Sequence, residues 1–72
     1  MSTHAYAVLS TDDATGQVLG AYGPLPELET PDPSSLGRMN QYGAAGWRFV
    51  ETHLLPAPND GVRVITLELA QE

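Results

Sequence analysis

Glu51 and His53 stand two apart in RFVETHLL, residues 48–55, and on an extended chain residues at that spacing share a face. A carboxylate beside an imidazole is how a general base is oriented, or how two metal ligands are presented. It is also an ordinary polar pair on a wet sheet face, and the residues around it favour that role or an interface. Tyr6, and with it His4, joins the pair if the first strand lies alongside with Tyr6 outward. Asp12 and Asp13 are adjacent in TDDATG, residues 11–16, where paired carboxylates brace a turn; a calcium loop needs more oxygen ligands at set spacing. Arg38, Arg48 and Arg63 are dispersed, which argues against a phosphate backbone as partner. Two or three of them can still converge on a small anion, within the fold or across an interface. The chain holds no cysteine nucleophile, Gly-x-Ser-x-Gly elbow, P-loop or Gly-x-Gly-x-x-Gly turn. The expectation is a non-enzymatic protein without catalytic residue, metal or cofactor.

The elements that would carry these side chains fit one small domain, residues 1–72. A chain this short buries about 60% of the surface its unfolded form exposes, so it needs a staple: disulfide, metal or partner subunit. With no cysteine and only two histidines, self-association is the staple left. The lack of cysteine fits a reducing cytoplasm. The net charge of −6 opposes anionic membranes, and no apolar run is long enough to span one. The start, MSTHAYAVLSTDD, lacks the basic and apolar regions of a signal peptide.

Alternation predicts a strand over residues 4–10, a turn at 11–16, and a returning strand over 17–22 in which Gly20 is a weak point or a bulge. Residues 23–35 contain four prolines and should form an extended surface connector. Asp32 then suits a helix N-cap with Pro33 in the first helical position, although Ser34 or Ser35 can cap instead. The helix runs to about Ala45, with Leu36, Met39 and Gly43 on one stripe, Asn40 inside the same arc, and Arg38, Gln41 and Ala45 opposite. On this phasing Asn40 is a buried amide that must find backbone partners. Residues 47–55 and 62–70 are the clearest strands, joined by PAPNDG. If Leu55 faces Val62, then Val50, Thr52, Leu54, Ile65, Leu67 and Leu69 share the face under the helix. Phe49, Glu51, His53, Leu55, Val62, Val64, Thr66 and Glu68 share the other.

Two glycines in MNQYGAAGWRFV, residues 39–50, need separate reasons. Gly46 suits a left-handed helix cap, with Trp47 packing back on Tyr42. Gly43 suits a close approach of helix to sheet, and Trp47 is expected in the core. Gly37 has no such account.

This stretch resembles the signature of a family of small bacterial and phage domains of unknown function, roughly Leu-Asn-x-Leu-Gly-x-x-Gly-Trp-Glu-Leu-Val. Asn40, Gly43, Gly46, Trp47 and Val50 occupy its fixed positions; Met39 and Tyr42 replace leucines, and Arg48 and Phe49 replace Glu-Leu. The resemblance covers the helix and the following strand, and loosely the first and last strands; the long connector departs from it. It implies a β-(β)-α-β-β order and carries no catalytic residue to transfer.

Together these readings give an α+β fold, a three- or four-stranded antiparallel sheet with one helix on one face. The expected function is self-association or partner binding, with a dimer favoured, through a face bearing Tyr6, Phe49, Glu51, His53 and Val64. A nucleotide-like ligand held by arginines at a subunit interface is the alternative, and a small enzyme centred on His53 the third.

Overall fold

The computed structural model describes residues 3–71, and the side chains of residues 4–70. The chain runs β1 (Thr3–Asp12), β2 (Val18–Tyr22), α1 (Ser35–Ala44), β3 (Arg48–Leu54) and β4 (Val62–Gln71). The four strands form one antiparallel sheet in the order β2-β1-β4-β3. This is an α+β architecture with all four strands present, including the returning strand of the first hairpin.

The long central pair aligns Ala5 with Leu69, Ala7 with Leu67, Leu9 with Ile65 and Thr11 with Arg63. Ala5 and Ala7 on β1 face leucines on β4, so small residues meet large ones there, and Leu9 faces Ile65. Ala7, Leu9, Ile65 and Leu67 are buried there with Tyr42 and Trp47, and Ala5, Val18, Leu25, Leu28, Met39 and Leu69 pack against them. We call this the core face. The connector contributes Leu25 and Leu28 to it, so it is part of the core as well as a surface link. Thr11, buried on the same face, donates its hydroxyl to the Arg63 carbonyl at 3.4 Å.

The helix starts two residues later than an Asp32 cap would place it. Ser34 is the cap, and its Oγ accepts from the Gly37 N–H at 3.1 Å. Asp32 supports the cap from outside, its Oδ1 accepting from the Ser34 N–H at 2.9 Å and from the Ser34 hydroxyl at 2.8 Å. That carboxylate accounts for Gly37: a Cβ on residue 37 would collide with the Asp32 side chain.

At the other end, the Trp47 N–H donates to the Tyr42 carbonyl at 3.1 Å and the Gly46 N–H to the Gly43 carbonyl at 3.0 Å. Gly46 has φ 100°, so this is the left-handed cap expected there, with both orphan carbonyls satisfied. Trp47 folds back into the cluster that holds Tyr42, as the cap geometry requires.

The helix phase differs from the expected stripe. Tyr42 is its buried residue and Met39 lies beside it; Leu36 is 69% exposed, and Asn40 and Gly43 face solvent. Two corrections follow. A Cβ at Gly43 would meet nothing within 4 Å, so no close approach to the sheet requires glycine. Asn40 is not a buried amide; its neighbour Gln41 ties the connector, accepting from the Asp32 N–H at 2.8 Å and donating to the Thr30 carbonyl at 2.9 Å. Arg38 adds a bond from Nε to the Asp32 carbonyl at 2.8 Å. The reason is that the connector supplies polar backbone on the Arg38–Gln41 side, which turns Tyr42 and Met39 inward.

The two glycines should therefore respond oppositely. Gly43→Ala should raise stability by about 0.5–1 kcal/mol, the helix preference of alanine with nothing to oppose it. Gly46→Ala should lower stability by about 1 kcal/mol, because alanine resists the positive φ. Its Cβ would also stand 3.0 Å from Leu69 Cδ1. Thermal melts of the two variants beside the parent check both signs.

Candidate functional site

β3 is an edge strand, and all seven of its residues are exposed. Its register with β4 starts as expected: the Leu55 N–H donates to the Val62 carbonyl at 3.0 Å, and Leu54 faces Arg63, His53 faces Val64, Thr52 faces Ile65 and Glu51 faces Thr66. It then slips by one residue. Phe49 faces Leu67 and Arg48 faces Glu68, leaving Val50 as an extra residue in a bulge. Strict alternation had placed Phe49 with Glu51 and His53. The bulge moves it to the core-face register opposite Leu67, where it remains 52% exposed beside Val50.

The outer face can be read as rows across the sheet. Tyr6, Glu68 and Arg48 form one row; Tyr22, Val8, Thr66 and Glu51 the next; Gly20, Ser10, Val64 and His53 the third. His53 and Val64 are thus direct neighbours, and Glu51 lies one row away. Tyr6 shares the face but not the cluster. From Val64 to Glu68 is four residues along β4, roughly 13 Å at strand rise, and Tyr6 is on the far side of that strand. His4 is farther still and stacks on Tyr6, ring centroids 6.4 Å apart. Neither Tyr6 nor His4 therefore joins the Glu51–His53 pair.

The row missed by sequence reading is the best-connected one. Arg48 binds Glu68 Oε1 through Nε at 2.9 Å and through Nη2 at 2.5 Å. Arg48 holds the Glu68 carboxyl below its ordinary value of 4.5, with help from His4 and the Tyr6 hydroxyl. Only a register that includes the bulge sets Arg48 opposite Glu68, so alternation could not find it. Asp32 is likewise held below 3.8, first by the Ser34 N–H and hydroxyl and then by Arg38. A carboxyl titrating lower in the folded chain stabilises it fully above the unfolded value, and loses that contribution as pH falls through the folded one. Melting midpoints should thus stay level down to the carboxylate range and fall below pH 4.5. Glu68→Gln should blunt the part of that fall due to the Arg48 pair, which a pH series of melts reads directly.

The remaining charged candidates serve structure. Asp12 Oδ1 accepts from the Ala14 N–H at 2.9 Å, closing the turn. Asp13 pairs with Arg63 Nε at 2.8 Å, and the Asp13 N–H reaches the Gly61 carbonyl at 2.9 Å, tying the two hairpin ends together. Each arginine is engaged in its own place: Arg38 on the connector, Arg48 on the outer face, Arg63 in the core-face register at the opposite end. They do not converge within one chain. Among the described residues the surface forms no pocket, no group of three His, Asp or Glu is placed to hold a metal, and no helix is long and apolar enough to cross a membrane.

Compared with family models, curated proteins and solved structures, the chain matches none.

Proposed function

We propose that this chain is a non-enzymatic self-association module whose working surface is β3 with the outer face beside it. The observation that carries the reading is the edge strand itself. Phe49, Val50 and Leu54 are about half exposed on a strand whose outward backbone groups have no partner among the described residues. Such edges are normally blunted by lysine, proline or a bulge; β3 contains neither lysine nor proline, and its bulge at Val50 leaves the stretch from Glu51 to Leu54 regular. The helix and connector cover the core face over β1 and β4 in this reading, and leave the outer face with Tyr6, Val64, Glu51 and His53 open. The signature resemblance and the cysteine-free composition suit a bacterial or phage domain of the cytoplasm.

Sedimentation at micromolar concentration tests the proposal. The parent should sediment as a dimer. Phe49→Glu, at a half-exposed position that folding tolerates, should sediment as a monomer with an unchanged helix and sheet content. A monomer mass for the parent overturns the reading.

A further inference from the structure

The occupant of that edge is a second copy of the same strand: we infer that β3 pairs antiparallel with β3 of another molecule about a two-fold axis at Thr52, making one sheet of eight strands, four from each copy. The inference rests on the self-association reading and adds its geometry.

Backbone direction comes first. Because Leu55 bonds Val62, alternation turns the N–H and C=O of His53 and Glu51 toward β4, and those of Thr52 and Leu54 toward the open edge. The stretch free to pair is short. The bulge at Val50 disrupts one end, and Pro56, which has no N–H, stops the other. The outward backbone groups left between them are those of Thr52 and Leu54. A two-fold at Thr52 makes Thr52 face Thr52, so that its outward groups meet those of the other copy.

Side chains select this register over its neighbours. Centred on Glu51, the pairing sets carboxylate against carboxylate; centred on His53, it sets imidazole against imidazole. Centred on Thr52, it sets Glu51 of each copy against His53 of the other on the outer face. Two unlike polar pairs then form at once, in cross-strand positions where each adds attraction. The remaining charge on the strand is Arg48, already bound to Glu68. The strand is therefore locally balanced although the whole chain carries −6. The other edge is a poorer template, since β2 has five residues and slips register at Leu19 between Val18 and Gly20. Closure about a two-fold also uses up the edge in each copy, so the assembly stops at two.

Thr52→Cys introduces the chain's only thiol. Facing residues of a hydrogen-bonded antiparallel pair lie about 5.5 Å apart at Cα, within disulfide range. Mild oxidation should link Thr52→Cys into a covalent dimer and leave His53→Cys unlinked, because the two copies of position 53 are offset. In parallel, Glu51→Lys should weaken association about tenfold by setting lysine against histidine, and Glu51→Lys with His53→Glu should restore it by rebuilding both pairs with signs exchanged. A parent dimer in which Thr52→Cys stays unlinked, or in which the double variant is as weak as the single, overturns the edge register and leaves self-association standing. A monomeric parent overturns both.

Discussion

Trp47→Ala should cost about 3–5 kcal/mol and leave little or no folded protein at ambient temperature. Trp47 is 5% exposed and joins every layer of the core: Ala7 and Leu9 from β1, Ile65 and Leu67 from β4, Tyr42 from the helix. It is also the residue just past Gly46, so its backbone N–H closes the helix on Tyr42 while its ring fills the space beneath. Removing the ring leaves a cavity that neither the sheet nor a capped helix end can close. For 72 residues the whole stability is roughly 4–11 kcal/mol at typical values per residue, so a single loss of this size takes a large share of it. Circular dichroism against denaturant reads the effect. Trp47→Phe, which keeps part of the ring volume, should fall between the two. An Ala variant melting with the parent would show that the core is not centred on this residue.

Gly23→Ala should be nearly as severe, about 2–5 kcal/mol, from a left-handed penalty of about 1–2 and an overpacking penalty of about 1–3. Gly23 has φ 113° just past the end of β2, and a Cβ there would stand 2.9 Å from both the Ala7 Cα and the Tyr6 carbonyl oxygen. Those are backbone atoms of β1, held by pairing with Glu68 and Leu67 of β4, and they cannot yield as the tip of a side chain would. The added methyl must push the connector off the strand, and Leu25 leaves the core with it. Gly61→Ala is the matched control: a Cβ there meets nothing within 4 Å, and stability should hardly change. Equal denaturation midpoints for the two variants would refute the close passage at Ala7.

Neither Gly23 nor the phase of the helix was legible in the sequence, and the reason is the same. Both depend on where the proline-rich connector lies, which is a tertiary matter with no periodic signal. Alternation and the turn residues between the runs located four strands, β3 among them although all seven of its residues are exposed. The cap at Gly46 was legible because its chemistry is local: a glycine, then an aromatic residue that returns to Tyr42. The stripe of Leu36, Met39 and Gly43 failed because hydropathy alone preferred Leu36 to Tyr42, whereas Gln41 and Arg38 bind the connector and set the rotation. On the candidate surface, Glu51, His53 and Val64 were placed together correctly. Phe49 was misassigned because a bulge adds one residue without any mark in the pattern, and the same slip hid the Arg48–Glu68 pair.

The pairing of Thr3 with Gln71 and of Ala7 with Leu67 has a kinetic side. The central strands of the sheet are the first and last in the chain, so the core forms only by closing nearly its whole length. Both hairpins are local and can form early, but each presents an unfilled half-face until the other arrives. Loop-closure entropy must be met before those contacts return anything, which places the chain among slow folders for its size. On a ribosome, β1 would have β2 beside it but would wait for β4 to emerge on its other side, and a nascent chain halted at Gly61 would show no protected core in hydrogen exchange.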